Sequence, residues 1–218
     1  MQDHDIADYL AVHPDFFDRH PELLTGLQLP HPHNGQAISL VERQSLMLRE
    51  RIKTLEARVA EMVRNAQEND AISARLVAWT RALLLQDNPS LLPDTLVASM
   101  KQVFSVPHCA LRLWSVAPPF AALECARPVT PDTISLANSM RVPFCGSNVG
   151  FEAAEWFEDG AGVQSLAMLP LRIGADPATF GLLVLGSADR DRFHITMGTA
   201  FLERIAELAS AALARLRA

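Results

Sequence analysis

The sequence predicts an α+β protein: short N-terminal helices and a long coiled-coil helix, followed by an antiparallel sheet flanked by helices. Three observations carry this. Proline–acid pairs punctuate the start, and an apolar seam recurs in alternating steps of four and three residues from Val41 to Leu76. After Pro107, short apolar runs alternate with Pro, Gly and Asp. The order assigns 1–36 to a short-helix head, 37–76 to a coiled-coil stalk and 72–218 to a globular domain.

The head contains "VHPDFFDRHPELL", in which His-Pro-acid-apolar-apolar occurs at His13–Phe17 and again at His20–Leu24. Proline is favoured at the first position of a helix, where its missing N–H would lack a partner anyway. An acid just behind it meets the positive end of the helix dipole. Pro14-Asp15 and Pro21-Glu22 therefore mark helix starts, with Phe16-Phe17 and Leu23-Leu24 as the inward pairs; Ile6, Tyr9, Leu10 and Val12 form one more helical face upstream. Metal binding is the alternative, because His4, His13, His20, His31 and His33 all fall in this region. No H-x-x-x-H on a helix accompanies them, and His31-x-His33 sits between prolines, so the spacing favours helix starts and no metal site is assigned.

Asn34-Gly35 signals a turn, and Ser39 followed by Glu42 has the S-x-x-E form of a capping box. The seam then runs through Val41, Ser45, Leu48, Ile52, Leu55, Val59 and Met62, softening into Ala66, Asn69 and Ser73 before Leu76. Heptads without proline or glycine predict a coiled coil. At about 1.5 Å per residue the stalk is about 55 Å long, too long to fold back on so small a head. In a parallel, in-register homodimer Arg51 would face Glu56 of the second copy, an attractive pair. The competing reading is a long amphipathic helix packed within its own chain. Either way the helix is expected to stop at Asp87-Asn88-Pro89.

A second helix fits Leu91–Phe104. Strands are predicted at 109–117, 120–126, 163–173 and 180–188, with hairpin connections at Pro118-Pro119 and in "GADPATFG". The last two runs are apolar on both alternating faces, which predicts a sheet covered on both sides. Helical pieces fit 131–140 and 152–157, and a closing helix fits Thr196–Leu216.

Composition narrows the role. The chain has 218 residues, 49% of them hydrophobic, and a net charge of −6 with nineteen scattered Lys+Arg, so direct nucleic-acid binding through phosphates is not expected. Cys109, Cys125 and Cys145 are odd in number and lack C-x-x-C spacing, which reads as buried reduced thiols. "MQDHDIADYL" has no secretory character, and no apolar run approaches the roughly 20 residues of a bilayer span. A cytoplasmic protein with no membrane contact is the expectation.

The order helix, helix, two strands, helical insert, two strands, helix is that of a GAF-type sensor domain, and "SLAMLPLRIG…FGLLVLGSADRDRF" (165–193) resembles its closing hairpin. The whole chain resembles the bacterial family catalogued as domain of unknown function 484, sometimes labelled phytochrome-like sensor proteins. The residues carrying this are "HPDFFDRHPELL", "SLVERQ" (39–44), "LRER" (48–51), "AQEND" (66–70), "LGSADRDRF" (185–193) and "MGTAFLERIAELA" (197–209). The resemblance implies a helical head, a coiled stalk and a GAF-like domain, with no agreed ligand or activity. Genes of the family often neighbour a tyrosine recombinase, which suggests a pathway and no more.

No reaction is legible. "GSNVG" (146–150) lacks the serine placement of a nucleophile elbow, and Lys53 and Lys101 are the two lysines, neither in a phosphate loop. Neither His108 nor His194 has an evident serine, cysteine and acid constellation, so no catalytic residue is assigned and the chain is read as non-enzymatic. A ligand pocket is expected where GAF-like domains hold ligands, between sheet and helical insert. Arg112 and Trp114 share one strand face; Phe144, Cys145, Ser147 and Asn148 lie in a glycine-punctuated loop, and Trp156 and Phe157 would close a lid. An arginine among apolar residues suits an anionic or carbonyl-bearing ligand. The plainer alternative pairs Arg112 with Glu124, leaves the aromatics as core and Cys145 as an inert thiol. No cofactor is indicated, and nothing around Cys145 resembles a bilin attachment site. The role expected is a dimeric sensor or adaptor, with a small molecule in the globular domain and a protein partner at the head. The alternative is a ligand-free scaffold or dimerisation module.

Overall fold

Two prolines and a set of carboxylates shape the start of the chain. A computed structural model describes residues 2–26, 28–30, 37–158, 160–174, 176–195 and 198–217, with only the backbone described at 24–26, 28–30, 37–42 and 161. The expected turn at Asn34-Gly35, the histidines His31 and His33, the side chains of the Ser39–Glu42 capping box and that of Val41 lie outside the described residues. The chain forms two compact units, Met1–Asn69 and Asp70–Ala218.

In the first unit α1 covers Asp3–Val12, with a capping box between Gln2 and Asp5. It ends where Pro14 forbids continuation: the His13 N–H donates to the Tyr9 carbonyl at 3.0 Å. The two proline–acid repeats do open helices. Pro21 is the first residue of α3 (Pro21–Gly26), whereas α2 (Phe16–Arg19) begins one residue behind its acid, with Asp15 at the N-cap. Strands β1 (Gln28–Pro30) and β2 (Ala37–Ser39), which the sequence did not suggest, pair antiparallel with Leu29 opposite Ile38. Helix α4 follows at Leu40–Leu84, 45 residues without a break. Every residue from Leu46 to Ala71 is exposed. The helix ends short of the expected stop at Asp87, and Asn88 then caps a 3₁₀ turn at Pro89–Leu91 by accepting from the Ser90 N–H at 3.0 Å.

The second unit is built on a four-stranded antiparallel sheet. Its strands are β3 (His108–Leu113), β4 (Phe144–Ser147), β5 (Ser165–Leu171) and β6 (Gly181–Ser187), in the order β3-β6-β5-β4. Every residue of β5 and β6 is buried. Alternation sends Ala167, Leu169, Leu171, Leu183 and Leu185 to one face, where they meet Trp79 and Leu83 of α4, α5 (Leu92–Phe104) and α7 (Ala200–Leu213). Leu166, Met168, Leu182 and Val184 point the other way, onto α6 (Pro131–Ser139) and the 3₁₀ turn Glu152–Trp156. The hairpin expected over "GADPATFG" joins β5 to β6, and α7 lies within the predicted closing helix, whose first residues Thr196 and Met197 are outside the described ones.

Four expectations about the strands are corrected. Residues 120–126 are not a strand: Pro118–Phe120 and Glu124–Ala126 are 3₁₀ turns, so Pro118-Pro119 joins no hairpin. The first strand ends at Leu113, and Ser115 adopts a left-handed φ of 68°. The chain then turns to the C-terminal segment, where Val116 bridges Arg217 and the Ala117 N–H donates to Leu216 O at 2.9 Å. Two prolines lacking N–H groups could not have continued the ladder. The missing strand is β4, in the region expected to be loop; it pairs with β5 with Cys145 opposite Ala167.

Residue Leu183 is fully buried on the helix-covered face. Leu183→Ala should lower the unfolding free energy by about 2–5 kcal/mol in denaturant titration. A loss below about 1 kcal/mol would show that this face repacks freely.

Candidate functional site

The edge strand β3 places Arg112 against two short turns. Its side chain is only 11% exposed, and its Nη2 lies 3.5 Å from Glu124 Oε1. Nη1 donates to the Leu111 carbonyl at 3.1 Å, and the guanidinium carbon sits 5.6 Å from the Trp156 ring centroid. Burial lowers the arginine pKa, and the Glu124 carboxylate works against that shift. Glu124 is held more closely by Arg127, at 2.6 Å. A carboxylate or carbonyl oxygen entering here would compete with a long contact rather than a short one.

Beside this group lies a cleft of about 450 Å³, bordered by α5, β3, the Glu124–Ala126 turn and residues 156–158. Arg112, Trp156 and Phe157 line it, together with Lys101, Cys109 and Cys125. Burial pushes the Cys109 thiol from 9.0 up to about 12, with Lys101 opposing. Burial and then Asp94 push Cys125 up to about 11. Both are neutral thiols near pH 7, so neither is a ready nucleophile. The cysteines of the cleft are not prepared to react.

The other expected pocket residues are dispersed. Trp114 donates from Nε1 to Thr179 O at 2.6 Å, and Phe144 packs edge-on to Phe151 with centroids 5.4 Å apart. Cys145 is buried on the helix-covered face of the sheet, and burial raises its pKa. Ser147 ends β4 exposed, while Asn148 staples a turn by donating to Val163 O at 3.0 Å and accepting from the Gly150 N–H at 3.1 Å. The space between sheet and insert, where the ligand was expected, is filled by Ala137, Ala153, Ala154, Phe157, Val163 and Met168. Gly186 makes this filling feasible: a Cβ there would come within 2.7 Å of the Phe157 ring. The insert itself is tied down by Glu152. Burial alone would raise its pKa, but hydrogen bonds from Thr130 and Thr133 (the latter at 2.5 Å) hold it below the usual carboxylate range.

The Cys109 shift carries a signed expectation. The unfolded thiol ionises near 9.0 and the folded one near 12, so the unfolded state loses its proton first. Stability from this group is intact below about pH 9 and falls as pH climbs toward the folded value. Denaturant midpoints at about pH 8 and pH 10.5 should drop with pH, and Cys109→Ala should make the drop smaller, with the raised Cys125 thiol accounting for part of what is left. An equal drop in the variant would assign it to other groups.

A family model described as "Protein of unknown function, DUF484" matches residues 1–217. Among curated proteins, YigA of Salmonella typhimurium LT2, described as uncharacterized, is 31% identical over 88 residues, 40% of this chain and 37% of that one. YigA of Escherichia coli K12 is 32% identical over 83 residues, 38% of this chain and 35% of its own length. The chain thus spans little more than a third of the length of these relatives. A solved structure, the GAF domain of a protein described as a sensor histidine kinase from Pseudomonas syringae pv. tomato, is similar over 70% of this chain and 91% of its own, with TM-score 0.45 and 21% identity. No helix among the described residues is long and apolar enough to cross a membrane. With a family model matching it from head to closing helix, the chain belongs to the DUF484 family.

Proposed function

We propose that the protein is a cytoplasmic, non-enzymatic dimeric sensor or adaptor. Two copies pair along α4, the head engages a protein partner, and the C-terminal domain supplies the second recognition surface. The observation that carries this is the seam. Leu48, Ile52, Leu55, Val59 and Met62 recur at heptad spacing and are 59%, 53%, 53%, 58% and 69% exposed. Burying an exposed Leu, Ile, Val or Met is worth about 1.5–3 kcal/mol, so a chain that leaves five such groups in water has a strong drive to cover them.

A second copy is the cover that suits the pattern. In the register set by Leu48 and Leu55 at d, the a positions hold β-branched Ile52 and Val59, a combination that favours two parallel strands. The same register sets Arg51 opposite Glu56 of the second copy. In the sensor version, an anionic or carbonyl-bearing molecule in the Arg112–Trp156 cleft would prefer one arrangement of the helices around it and shift the population of stalk states. Support for the non-enzymatic part comes from the neutral thiols of the cleft and the partnered Arg112.

A second reading, a ligand-free scaffold, is favoured by one observation: side chains fill the space between sheet and insert. Native mass spectrometry of freshly purified protein separates the two. A dimer carrying extra mass that Arg112→Ala releases supports the sensor; a bare dimer supports the scaffold. The pairing has its own test. The far-UV circular dichroism melt of the chain should move to higher temperature as protein concentration rises, as dissociation-coupled unfolding requires. The double substitution Ile52→Glu, Leu55→Glu should abolish that dependence and leave the near-ultraviolet signal of the sheet domain in place. A wild-type melt independent of concentration removes the dimer.

A further inference from the structure

We propose that the head is a docking groove for a basic amphipathic helix of a partner protein. The inference rests on the adaptor reading above for the claim that the head meets a protein, and names what kind of surface it meets. Helices α1, α2 and α3 enclose an apolar hollow of about 460 Å³ lined by Ile6, Tyr9, Leu10, Phe16, Phe17 and Leu23, with Asp5 at its margin. No residue of α1 or α2 is buried. Ile6, Tyr9 and Leu23 remain 41%, 49% and 42% exposed. Large apolar side chains gathered on one concave surface and left in water mark an interaction site.

The floor is ordered by ring contacts. Tyr9 stacks on His13 with centroids 4.3 Å apart, and Phe16 meets Tyr9 at 6.1 Å and Phe17 at 5.4 Å, both edge-on. Aromatic anchors held this way lose little entropy on binding. Helix α1 has ten residues, so the groove is about 15 Å long. That length takes about three turns of a helix presenting apolar residues at i, i+3, i+4 and i+7.

Charge selects among occupants. The segment from Asp3 to Leu23 carries Asp3, Asp5, Asp8, Asp15, Asp18 and Glu22 against one arginine, Arg19, which is itself 3.3 Å from Asp15, while His4 lies 3.6 Å from Asp8 and His20 3.5 Å from Glu22. Helices with this excess of carboxylates, with Asp5 at the margin of the apolar floor, attract Lys and Arg flanking an apolar stripe. They repel anionic lipid headgroups, and they repel a second copy of the same head.

The test uses the full chain and two fluorescein-labelled helical peptides of equal length, with Leu at i, i+3, i+4 and i+7. One carries Lys at the remaining positions and the other Glu. Anisotropy titrations should give at least about tenfold tighter binding for the Lys peptide, weakening between roughly 50 and 300 mM salt. Phe17→Ser should reduce its affinity by about tenfold or more. Asp5→Asn with Asp18→Asn, which keeps the apolar floor, should reduce it severalfold. Ile52→Glu with Leu55→Glu should leave it unchanged, which keeps a failure of docking distinct from a failure of pairing. Equal binding of the two peptides, no binding at all, or binding insensitive to the head substitutions overturns the proposal. Stronger binding to vesicles of anionic phosphatidylglycerol than to the Lys peptide overturns it in favour of a membrane surface.

Discussion

Strands β5 and β6 offer no residue to solvent on either face, and the rest of the C-terminal unit follows from that constraint. A sheet apolar on both sides needs a layer on each. One layer is helical, made by α5, α7 and the end of α4; the other is the small-residue insert around Ala137, Ala153 and Ala154. The second layer is thin because alanines and a ring lying on Gly186 bring it close to the strands. Closeness on that side removes room for a ligand, and the cleft that Arg112 lines lies beside the edge strand β3 instead.

Helix α4 serves two masters along its length. Near its end, Trp79 and Leu83 are buried in the domain core, and Trp79 Nε1 is the one buried side-chain donor without a partner among the described residues. Leaving such a donor unpaired costs about 1–3 kcal/mol, which the burial of the indole ring offsets. Further back, the Leu48–Met62 seam has the same apolar character and no core to join. The difference between the two stretches lies in what surrounds them rather than in their helix propensity. A helix that long holds together in water through tertiary or quaternary cover more than through propensity.

Legibility in the sequence followed the strength of the local signal. The unbroken runs at 165–171 and 181–187 and the long helix of α4 could be read directly, because period and composition agree with the strands and the helix that form. Residues 120–126 were misread because their apolar content matched a strand while the neighbouring Pro118-Pro119 and the Ala117–Leu216 hydrogen bond led the chain elsewhere. The short strand Phe144–Ser147 was missed since its strand character comes from pairing with β5, a long-range contact that a segment interrupted by Gly146 does not announce. Of the expected pocket, Arg112, Trp156 and Phe157 share a cleft, and the Arg112–Glu124 pair was foreseen as an alternative. Cys109 and Cys125 were absent from the expected set, because only the turn at Glu124–Ala126 brings the second thiol to the first strand.

A second copy covering the exposed seam of α4 is what joins head, stalk and sheet domain into one device. Sedimentation equilibrium of the unmodified chain at micromolar concentration decides it most directly. A mass of twice the 23.9 kDa chain is the predicted result. A single species at 23.9 kDa across the accessible concentrations would contradict it.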